Sequence, residues 1–170
     1  MAEIMVLRLV HILGGIFWLG SAFFISVFLV PALGRSSRDV GSTMTALHHR
    51  KLFIALPIVS LLVILAGLRL MWIDSSGFST SYFAAPLSQG FVYGGAAAIL
   101  AFLLAFFFLR PAVDRMVALD AQIISATEAQ RSDLVAEEKA LQIRLSRVGA
   151  ANTTLLVLAA IGMAISRYLA

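Results

Sequence analysis

The chain has 170 residues, of which 61% are hydrophobic and 13% charged, and its mean hydropathy is +0.96. That balance is too apolar to clothe a large water-facing domain. The net charge of +4 does not indicate nucleic acid, because the basic residues flank apolar segments, and the absence of cysteine excludes disulfides, thiolate metal sites and cysteine nucleophiles.

The pattern predicts an all-α, integral membrane four-helix bundle in one domain, residues 1–170, with spans at about 4–33, 52–73, 90–109 and 148–169. In the first, Ile12 to Leu33 carries no charge, and at ~1.5 Å of rise per residue it crosses a ~30 Å hydrocarbon core. The run is too long for a signal peptide's apolar region and has neither a basic lead nor a small-residue cleavage site, so it is expected to stay as a helix. His11 falls roughly 9 Å inside the outer boundary and shares a helical face with Gly15, Trp18 and Ala22. An imidazole at that depth either bonds to a neighbouring helix or handles a ligand, and Gly15 is expected to allow close helix packing.

The connection 34–51 holds Arg35, Arg38, Arg50 and Lys51, with His48 and His49 beside them at the inner interface. The second span is interrupted only by Arg69, four residues before its outer end. Arg69 either pairs with Glu3 or Asp74 or holds an anionic group such as a haem propionate. Pro31 and Pro57 sit near inner span ends, where they bend the helices. Residues 74–89 contain no Lys or Arg, and Trp72, Tyr82, Tyr93 and Tyr168 fit an outer aromatic belt.

Between the third and fourth spans, residues 110–147 carry six basic residues and helical periodicity: Val113, Met116, Val117 and Ile124, then Leu134, Leu141, Leu145 and Val148. Helices three and four are therefore expected to extend into a cytoplasmic helical hairpin. Its turn is placed near Ser125 to Thr127, because Ser125/Glu128 and Thr127/Gln130 both match a capping box. With ten of the thirteen Lys and Arg in these two connections, both should face the cytoplasm, leaving both termini outside.

On the fourth span Asn152, Leu156, Ala159, Met163 and Arg167 lie along one face, and Met163 reaches about the depth of His11. Asn152 and Thr153 are expected to hydrogen-bond between helices. His11 and Met163 at one level suit haem iron or Cu(I), while Arg8, Arg69 and Arg167 supply nearby positive charge. No phosphate-binding glycine loop, zinc-type spacing, Ser-His-Asp arrangement or intramembrane carboxylate is present, which removes the hydrolase, kinase and ion-pump classes.

The segment Leu9-Val-His11-Ile-Leu-Gly-Gly15-Ile-Phe-Trp18-Leu-Gly20, followed by an apolar run to Pro31, resembles the opening helix of small bacterial membrane proteins of the copper-resistance-D-like group and of HemJ-type protoporphyrinogen oxidases. Arg147, Asn152, Met163 and Arg167 are similar to the closing helix of such families. The resemblance implies an inner-membrane location and a ligand role for His11.

Three functional expectations stay open. One is a redox-linked outer-leaflet site in which His11 ligates haem b or a soft metal, Arg69 with Arg8 or Arg167 balances its charge, and Trp18 packs against it. The second is a non-catalytic accessory subunit, packed against a larger bioenergetic or photosynthetic complex through its lipid-facing helices or its hairpin. The third is copper handling, with His11 and Met163 as stepping ligands.

Overall fold

A computed structural model describes residues 1–35 and 40–168, with the side chains of 34, 35 and 167 left aside. Arg38, and the side chains of Arg35 and Arg167 singled out above, therefore lie outside the described residues. In chain order the helices are α1 (Ala2–Phe23), α2 (Val30–Arg35), α3 (Val40–His49), α4 (Leu52–Asp74), α5 (Thr80–Ala84), α6 (Pro86–Leu104), α7 (Arg110–Ser125) and α8 (Glu128–Ile165). No strand occurs among the described residues.

Among the described residues, four continuous helices are long and apolar enough to cross a bilayer: Ala2–Leu33, Leu52–Asp74, Pro86–Ser125 and Glu128–Ile165. Two of them contain a π-helical turn, at Phe24–Leu29 and at Ala105–Leu109. There the N–H groups of Val30 and Arg110 reach back five residues, to Ile25 O and Ala105 O, so each helix accommodates an extra residue and shifts its face. Pro86 opens α6, where its missing N–H costs least. Pro31 and Pro111 each follow a π-helical turn inside a continuous helix, and Pro57 lies one and a half turns into α4.

The spans pack chiefly as two close pairs, α1 with α4 and α6 with α8. Between α6 and α8 the approach is backbone to backbone: a Cβ at Gly90 would lie 2.4 Å from Gly162 O, and one at Gly94 would lie 2.9 Å from Ala159 O. Small residues four apart permit this separation, and dispersion and hydrogen bonds then hold helices that lipid alone does not drive together. The pairs meet around Trp18, Val63, Ala98, Ala101, Leu156 and Ala159. Thr153 ties α8 to the first span, donating to Ala22 O at 3.2 Å and lying 3.1 Å from Ser26 Oγ. Leu13, Ile16 and Phe107 are more than 60% exposed on the outward faces, the surface a hydrocarbon solvent accepts.

At the end opposite the termini lies a second layer. The connection read above as a basic link contains α3, whose Val40, Met44 and Leu47 recur at helical spacing and pack with Leu33 and Met116. Thr45 Oγ1 donates to Asp120 Oδ2 at 2.7 Å, joining α3 to α7, and Arg115 grips Glu137 through Nε at 2.8 Å and Nη2 at 2.7 Å, joining α7 to α8. The α7–α8 turn falls at Ala126 and Thr127. Gln130 Oε1 there accepts from the Thr127 N–H at 3.4 Å and from its hydroxyl at 3.0 Å, so Thr127 rather than Ser125 heads α8.

Candidate functional site

His11 projects from α1 into a notch on α4. Its Nδ1 lies 2.8 Å from Val63 O, and a carbonyl only accepts, so Nδ1 carries a proton and Nε2 is the ring nitrogen left for any other partner. The notch exists because residue 67 is glycine: a Cβ there would lie 2.7 Å from His11 Cε1. One turn along α1, a Cβ at Gly14 would lie 2.6 Å from Val63 Cγ2, whereas Gly15 has no neighbour within 4 Å of such an atom. Gly14, not Gly15, is thus the glycine that brings the two helices together.

Arg69, two residues beyond the notch, donates from Nε to Glu3 Oε1 at 2.8 Å. The side chains are 49% and 56% exposed, so by the usual worth of exposed pairs this contact contributes about 0–1 kcal/mol. Arg8 is exposed and borders a shallow groove on α1 itself, with Met1, Met5 and Ile12. Met163 packs against Gly94, its Cγ 3.0 Å from where a Cβ would be, and belongs to the α6–α8 seam, whereas His11 belongs to the α1–α4 seam. Trp18 is 5% exposed, in the core where the two helix pairs meet. Just outside the spans, Tyr82 on α5 is pushed up to about 12, first by burial and then by its hydrogen bond to the Asp74 carboxylate and that group's charge.

The sequence reading missed a cavity of about 140 Å³ in the half of the bundle away from the termini. Its wall runs down α1 and the following π turn from Trp18 through Ala22 to Ser26, and is completed by Pro57 and Ser60 of α4, Phe102 and Phe106 on the third span, and Gly149 and Asn152 of α8. Both π-helical turns border it. Its polar residues are few. Ser60 is satisfied within α4, donating to Pro57 O at 3.1 Å. Asn152, 3% exposed, has its Oδ1 buried with no hydrogen-bond partner, unlike Thr153 beside it. Arg110, Gln142 and Ser146 line the end farthest from the chain termini, and the Arg110 guanidinium lies 5.6 Å from the centre of the Phe106 ring.

His48 and His49 sit at the end of α3 with rings 6.5 Å apart, edge to face, and His48 Nδ1 is buried without a partner. Among the described residues no three His, Cys, Asp or Glu side chains gather as a metal would require. Comparison with protein-family profiles, with curated proteins and with solved structures finds no match.

Proposed function

We propose that the protein is a non-catalytic, four-span component of the bacterial inner membrane, with both termini outside and α3, α7 and the first half of α8 in the cytoplasm. The orientation is supported by the clustering of ten of thirteen Lys and Arg in the two connections at one end of the bundle. The observation that carries the non-catalytic reading is that both side chains best suited to outer-leaflet chemistry are engaged within the chain. His11 is held by Val63 and Arg69 by Glu3, so each does the work of joining the first span to the second. The exposed apolar faces are then covered by lipid or by the spans of a larger complex, and the α7–α8 hairpin offers that complex a polar docking surface. Mild solubilisation of native membranes tests this. The protein is expected to co-migrate stoichiometrically with a larger assembly, and recovery as a coloured, stable, isolated species contradicts it.

A second reading, a haem b or copper site at His11, draws support from the same hydrogen bond. A ligating histidine commonly donates its other ring N–H to a carbonyl, which fixes the tautomer and raises ligand basicity. In that case Nε2 is the ligand atom. A bound haem or copper content unchanged by His11→Ala removes this reading.

A further inference from the structure

We propose that the inner-half cavity binds a single-chain amphiphile with an anionic head group, the chain threaded toward Trp18 and the head held at the inner end by Arg110, Gln142 and Ser146. The walls set the first requirement. From Trp18 to Val30 the lining residues of the first span cover roughly 18 Å of helix by rise, and along that length the walls are apolar apart from Ser26, Ser60 and Asn152. An apolar surface of that length matches an extended acyl chain.

Charge sets the second requirement. Arg110 lines the inner end, and among the described residues it has no carboxylate partner, only the face of Phe106. Gln142 and Ser146 are four residues apart on α8, so both present donors on the face that carries Gly149 and Asn152 further up. A guanidinium flanked by an amide and a hydroxyl recognises a carboxylate or a phosphate.

A long-chain carboxylic acid and a monoacyl glycerophospholipid both meet these two requirements. Both share the chemistry of one chain and one anionic head.

The chain's two tryptophans allow a direct test. In a Trp72→Phe variant, Trp18 is the sole tryptophan and its ring lines the cavity. Full-length protein in a nonionic detergent is titrated with a chain-brominated fatty acid, its methyl ester, and a chain-brominated monoacyl phosphatidylglycerol. Saturable quenching of Trp18 by the acid, the phospholipid or both, with the methyl ester binding about tenfold more weakly, is the expected result for a head held by a charge-assisted hydrogen bond. Quenching by the acid alone identifies a free carboxylate as the guest, and tighter quenching by the phospholipid identifies a lipid head. Arg110→Gln should weaken the anionic probes about tenfold and leave the ester unchanged. Equal, unsaturable quenching by acid and ester overturns the proposal, as does unaltered binding to a folded Arg110→Gln protein. The ester comparison on the Trp72→Phe protein needs no change in the cavity, so a misfolded Arg110 variant does not obscure the answer.

Discussion

The imidazole of His11 occupies the space that a side chain at residue 67 would fill: a Cβ on Gly67 would lie 2.7 Å from His11 Cε1. The same ring is hydrogen-bonded to Val63 O, one turn before Gly67 on α4. The two residues therefore act as one contact, and their substitutions should not be independent. Gly67→Ala should cost about 1–3 kcal/mol by overpacking. In a His11→Ala background the added methyl meets no ring, so its cost should shrink, giving a coupling of about 0.5–3 kcal/mol in a double-mutant cycle of thermal stability in detergent. Equal costs in both backgrounds would show that the notch does not hold the ring.

Gly90 and Gly20 should respond in opposite directions to the same change. A Cβ at Gly90 meets Gly162 O, a backbone atom that cannot rotate away, whereas one at Gly20 meets nothing within 4 Å. Gly90→Ala should destabilise by at least about 1–3 kcal/mol through separation of α6 from α8. Gly20→Ala should be neutral or stabilise by up to about 1 kcal/mol, the helix-propensity difference. Denaturation in detergent with both variants reads the contrast, and similar midpoints would contradict the close α6–α8 seam.

Because the chain has no cysteine, single cysteines report topology without a background. Ser81 on α5 and Ser132 near the start of α8 are both exposed. A membrane-impermeant maleimide should label Ser81→Cys in intact spheroplasts and Ser132→Cys only after permeabilisation. The reverse pattern overturns the orientation.

Tyr82 ties α5 to the end of α4 through Asp74, and its phenol is pushed up from 10.0 to about 12. Burial and the adjacent carboxylate both favour the neutral form. A raised pKa in the fold means that the stabilisation is complete below pH 10 and is lost as pH rises from about 10 toward 12. In a Tyr93→Phe/Tyr168→Phe background, leaving Tyr82 as the sole tyrosine, ultraviolet titration should show Asp74→Asn lowering the transition, with the part due to burial retained. An unchanged midpoint means that Asp74 does not contact the phenol.

Hydropathy alone revealed four long apolar helices, because membrane solvation acts on every residue of a span and leaves a local signature. The α7–α8 turn was legible for a similar reason, since the Thr127 and Gln130 pair is written within four residues. What escaped the sequence depends on contacts between distant segments. Helix α3 was obscured by the basic residues around it, although Val40, Met44 and Leu47 carry its packing face. Gly14 was overlooked beside Gly15, because one residue of rotation decides which of two adjacent glycines faces α4. The cavity is the clearest case. Ala22, Gly149 and the π turns come from segments far apart in the chain, and only their packing leaves a space. Asn152 was noticed as polar within a span, but its lack of a partner is a property of the assembled bundle.

The claim that His11 serves the α1–α4 contact and not a redox centre is tested most directly by the absorption spectrum of the protein purified from native membranes, recorded oxidised and then dithionite-reduced. The account predicts a protein without a Soret band. A band near one haem per chain that shifts on reduction, and that His11→Ala abolishes while the protein stays folded, would contradict it.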